Sequence, residues 1–111
     1  MKYLRFIFIL TFALLTQMAF SQNFLPKDKA LEQLEIKQAS LKTEYEEGSV
    51  NQLKMDIYAH FFEILIIYIK EDNDIPESLS VTYEKCLSKF EDNQEDVVIV
   101  KDEISAILTI N

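Results

Sequence analysis

Three observations predict an all-α fold, a small antiparallel up-down bundle of about four helices (28–47, 50–71, 75–90 and 94–109) after an N-terminal signal helix. The 111 residues include one Gly and two Pro, so little in the chain interrupts a helix. Apolar residues recur at three- and four-residue spacing over long stretches, the period of a helix with one buried face. Two acidic stretches, Glu71-Asp72-Asn73-Asp74 and Glu91–Asp96, break this pattern where turns are needed. The length allows one domain.

Residues 1–21 read as an export signal. Lys2 and Arg5 give a basic start, Phe6–Leu15 is apolar, and Ala19-Phe20-Ser21 supplies small residues for a signal peptidase. The strongly apolar stretch is shorter than the roughly 20 residues that span a bilayer, so cleavage is favoured over a retained anchor. No Cys follows the predicted cut, which leaves no lipid attachment point there. Residues 22–27 are predicted to be an irregular leader, and 28–111 a single helical-bundle domain.

Helix one, 28–47, follows Pro26 and carries Leu31, Leu34, Gln38, Leu41 and Tyr45 at alternating spacing, with Gly48 as its C-terminal cap. Ser49 and Gln52 match a capping box, opening helix two at 50–71. Asp74 or Ile75 caps helix three, 75–90, with Pro76 in its first turn and Leu79, Tyr83, Cys86, Leu87 and Phe90 on one face. The run Val97–Val100 is β-branched and locally strand-like. Even so, Val97, Val100, Ile104, Ile107 and Leu108 keep helical spacing behind acidic residues that suit a helix N-terminus, which predicts a helix over 94–109.

Helix two carries more apolar surface than a bundle helix needs. Leu53, Ile57, Phe61, Ile64 and Tyr68 define one stripe, Tyr58, Phe62, Leu65 and Ile69 widen it, and Met55 and Ile66 lie nearly opposite its centre. Two readings follow. Either helix two is the central helix wrapped by the other three, or Met55, Phe62, Ile66 and Ile69 form a patch for a partner or a second copy.

Charge narrows the partners. The whole chain has 11 Lys+Arg against 19 Asp+Glu, and residues 22–111 keep nine Lys, no Arg and all 19 acids, a net charge of −10. Such a chain repels polyanions, so neither nucleic acid nor, after signal cleavage, a membrane is an expected partner. Glu44, Glu46 and Glu47 are expected to join Glu91, Asp92, Glu95 and Asp96 at one acidic end of the bundle, suited to a basic protein or simply solvated.

The motifs of catalysis are sparse. Asp56, His60 and Glu63 share a helix face, but the trio lacks the paired Glu-x-x-His motifs of carboxylate-bridged bundles. Cys86, the one cysteine, falls on an apolar face where a thiol is inert. There is no Ser/His/Asp pattern, Gly-rich phosphate loop or Cys-x-x-Cys pair. The sequence therefore predicts no catalytic residue, metal or cofactor. It predicts a small exported protein, periplasmic or extracellular, that binds another protein without catalysis, in the general character of acidic inhibitors and immunity proteins though no motif ties it to them. The alternative is a structural subunit that forms a homodimer through helix two.

Overall fold

A computed structural model describes residues 23–110; the predicted signal and its cleavage fall outside the described residues. Four α-helices follow in order: α1 Lys27–Glu46, α2 Gln52–Lys70, α3 Ile75–Lys89 and α4 Gln94–Ile107, with a 3₁₀ turn Glu91–Asn93 before α4. The β-branched run Val97–Val100 is helical. Its buried members, Val97 and Val100, continue through Ile104 to Leu108, so packing of one face outweighs the local strand preference.

Each connection closes by identifiable chemistry. At the end of α1, Gly48 adopts φ 80°. The Ser49 amide donates to the Glu44 carbonyl at 2.8 Å and the Gly48 amide to Tyr45 at 3.1 Å, a Schellman closure. Ser49 is thereby spent on ending α1. The N-cap of α2 is Asn51, whose side chain accepts from the Lys54 amide at 2.8 Å, and the expected Ser49–Gln52 capping box does not form. The α2 end repeats the Schellman pattern with Asp72 at φ 70°. Asp74 then caps α3 by accepting from the Glu77 amide at 2.8 Å.

The helices alternate in direction. Lys27, at the start of α1, bonds Asp72, just past the end of α2, at 2.8 Å. The Leu25 amide donates to the Leu108 carbonyl and the Ile110 amide to Asn23, both at 2.8 Å, so the α1 start and the α4 end meet at that same end of the bundle. The expected irregular leader is in fact partly paired, with an antiparallel bridge between Phe24 and Thr109. Helix α2 packs against all three others, most extensively against α3.

The buried faces are rotated from those the spacing suggested. On α1 the buried line is Ala30, Leu34 and Leu41, while Gln38 and Tyr45 are exposed. The Tyr45 hydroxyl is satisfied outside the core by donating to Gln52 across the turn. On α3 the core takes Ile75, Ser78, Leu79, Thr82 and Cys86, leaving Tyr83, Leu87 and Phe90 half-buried. Ser78 and Thr82 enter because their hydroxyls donate to the Asp74 and Ser78 carbonyls at 2.7 and 2.6 Å, so neither hydroxyl is buried unpaired. On α2 the buried residues are Ile57, Tyr58, Phe61, Phe62, Leu65 and Ile69. Leu53, assigned by spacing to the central stripe, is exposed.

Candidate functional site

The residues proposed from sequence as a helix-two patch divide. Phe62 is 2% and Ile69 1% exposed, and both belong to the core, so they offer nothing to a partner. Met55 and Ile66 are half-buried against that core. The physical reason is the central position of α2: it packs against all three other helices, which cover most of its apolar residues beyond one stripe and leave Leu53 and Ile67 exposed.

The seven acids of the expected end also separate. Phe90, which ends α3, sets its ring edge-on to His60 with centroids 6.0 Å apart. His60 lies eight residues into α2, so the α3–α4 turn meets α2 about 12 Å from its start at 1.5 Å per residue. Helices α3 and α4, at 15 and 14 residues, are shorter than α1 and α2, at 20 and 19. Glu46 and Glu47 are therefore exposed at the far tip, and Glu44 is half-buried with its charge acting on Tyr58. Glu91, Asp92, Glu95 and Asp96 form their own group, lining an open concavity with Asn93 and Gln94.

That second group is continuous with exposed apolar side chains. Val98 is 38% and Ile99 43% exposed. Val97, Val100 and Ile104 face the core, and at about 100° per residue the two neighbours of Val97 and Val100 must turn outward. Glu95, Ile99, Asp102 and Ala106, at i, i+4, i+7 and i+11, form the exposed face of α4 with Val98 beside them. No ion pair involves Glu91, Asp92, Glu95 or Asp96 among the described residues. The neighbouring lysines make other contacts: Lys89 Nζ lies 5.9 Å from the Phe90 ring centroid, and Lys101 Nζ lies 5.2 Å from that of Tyr83 and 3.6 Å from Asp102. This surface was legible in the spacing, since the residues that define the buried stripe of α4 also fix which residues point away.

A polar cluster unseen in the sequence ties three helices together. Tyr58 of α2 donates its hydroxyl to Glu103 Oε2 of α4, Lys37 of α1 approaches Glu103 Oε2 at 3.9 Å, and Lys37 Nζ lies 6.0 Å from the Tyr58 ring centroid. Burial, and then the hydrogen bond donated to the Glu103 carboxylate, hold the Tyr58 hydroxyl well above the usual phenol range. No local pattern links residues 45 positions apart.

The remaining reactive side chains are placed as packing groups. Cys86 is fully buried, and burial pushes its thiol up to about 11 despite the opposing charge of Lys89. His60 is half-buried beside Phe90, with its pKa lowered first by burial and then by Lys89, against a smaller contrary pull from Glu63. Asp56 accepts from Gln52 Nε2 at 2.8 Å, and among the described residues no three His, Cys, Asp or Glu side chains gather as a metal site. No helix among the described residues is long and apolar enough to cross a membrane. No protein-family model matches the chain, and no curated protein or solved structure matches it either.

Proposed function

We propose that this chain is a small exported protein that acts by binding another protein and performs no catalysis. One observation carries the reading: Val98 and Ile99 stand exposed on the outward face of α4, next to the unpaired Glu91, Asp92, Glu95 and Asp96. Exposed apolar groups adjoining uncompensated charge make a surface that gains by association with a partner of opposite sign. The inert placement of Cys86 supports a non-catalytic role.

Affinity capture from the envelope and secreted fractions of the producing cell tests the reading, with the wild-type chain beside a Val98→Ser/Ile99→Ser variant. A protein retained by the first and lost by the second supports it, provided the chain alone is monomeric in solution. A dimer that captures nothing would instead establish the structural-subunit reading.

A further inference from the structure

We propose that the outward face of α4, together with the α3–α4 turn, seats a basic amphipathic helix of a partner protein. The inference rests on the binding role above and names the chemistry of what is bound.

Shape comes first. Glu95, Val98, Ile99, Asp102 and Ala106 present an exposed ridge at helical spacing, and such a ridge is complementary to the groove between side chains of another helix. The backbone amides and carbonyls inside α4 are used within the helix, so an added strand would find no edge to pair with. Val98 and Ile99 are β-branched and already restricted at χ1, which lowers the entropy lost when they are covered. Ala106 is small and exposed, allowing close approach at the C-terminal half of the face.

Charge selects the occupant. Along the helix axis the apolar pair lies between Glu91, Asp92, Glu95 and Asp96 on the N-terminal side and Asp102 on the C-terminal side. Lys101 Nζ, 3.6 Å from Asp102, is the one cation paired on this face among the described residues. Acids in the first turn stabilise the N-terminus of α4, which accounts for Glu95 and Asp96 but not for the exposed Val98 and Ile99 beside them. A second copy is a poor occupant, because a two-fold contact through this face would set acid against acid. A helix with apolar residues three or four positions apart, flanked by Lys or Arg, satisfies both features.

The test uses two synthetic amphipathic peptides of about 18 residues, five helical turns, one built of Leu and Lys and the other of Leu and Glu. Each is titrated into the ¹⁵N-labelled protein while amide resonances are followed. The Leu/Lys peptide is expected to perturb residues 91–106, to bind about tenfold more weakly to Val98→Ser/Ile99→Ser and to Glu95→Gln/Asp102→Asn, and to weaken with added salt. The Leu/Glu peptide is expected not to bind. All four substituted side chains are exposed, so unchanged circular dichroism verifies that each variant is folded. Perturbation centred on the exposed Leu53 and Ile67 of α2, equal affinity for the Val98→Ser/Ile99→Ser variant, or no binding of the Leu/Lys peptide each overturns the proposal. If the peptide fails while a natural partner is still captured by wild type and lost by Val98→Ser/Ile99→Ser, the basic helix is wrong and the binding role stands.

Discussion

Removing the Tyr58 hydroxyl tests how the helices are held in register. Tyr58 is 2% exposed, and its hydroxyl donates to a carboxylate. A hydrogen bond to a charged group contributes about 1.5–3 kcal/mol. The Glu103 side chain is 40% exposed, so in Tyr58→Phe water replaces the lost donor and the cost falls to about 1 kcal/mol. Glu103→Ala is the harsher change, because it strands a buried hydroxyl and releases Lys37, for about 2 kcal/mol. The double variant should cost less than Glu103→Ala alone, about 1 kcal/mol, since no hydroxyl is left stranded. Urea denaturation of the four proteins measures the cycle, and thermal melts should fall by about 4–8 °C per kcal/mol. Strictly additive single effects would mean that the bond contributes nothing, and the three-helix cluster would then be incidental. The cycle also predicts a pH signature. The folded phenol titrates above its ordinary value, so its stabilisation is complete below pH 10 and declines as pH rises past 10, where the unfolded tyrosine ionises first. Tyr58→Phe should remove that contribution to the alkaline decline.

Four further outcomes are expected. His60 has a lowered pKa, so its contribution is complete above the unfolded value of 6.5 and is lost as pH falls below it; His60→Gln should flatten this part of the pH–stability curve measured by chemical denaturation. Cys86, buried and titrating near 11, should react with a thiol-specific disulfide reagent only in denaturant, and rapid labelling of the native chain would contradict its place in the core. Gly48→Ala should destabilise by about 1 kcal/mol from backbone strain at φ 80°, since an added Cβ meets no atom within 4 Å. Asp72→Gly, at φ 70°, should change the melting temperature in the opposite direction, because relief of the left-handed strain outweighs one exposed ion pair.

The ends of the helices were readable locally because the chemistry that sets them is local. Gly48 stops α1 since it accepts a left-handed conformation without a Cβ clash, and Asp74 with Pro76 starts α3 through a side-chain cap and a preset backbone angle. Where two local devices compete, spacing alone does not decide between them: Ser49 closes α1 and so leaves the capping of α2 to Asn51. The candidate surface on α4 was also implicit, because burial of Val97, Val100 and Ile104 obliges Val98 and Ile99 to face out.

By itself the sequence determined that four amphipathic segments would be helical, where each would end, and that residues 22–111 would be strongly acidic. Only the tertiary structure decided which way α1, α2 and α3 turned. The apolar residues of α2 span so much of its circumference that its own spacing selects no single buried face; contact with α1, α3 and α4 places Tyr58, Phe62 and Ile69 inward and leaves Leu53 and Ile67 exposed. The same packing buries Ser78 and Thr82, joins Lys37, Tyr58 and Glu103, and sets the α3–α4 acids apart from those of α1. Periodicity reports that a helix has an apolar side, but which side is buried depends on neighbours that are distant in the chain.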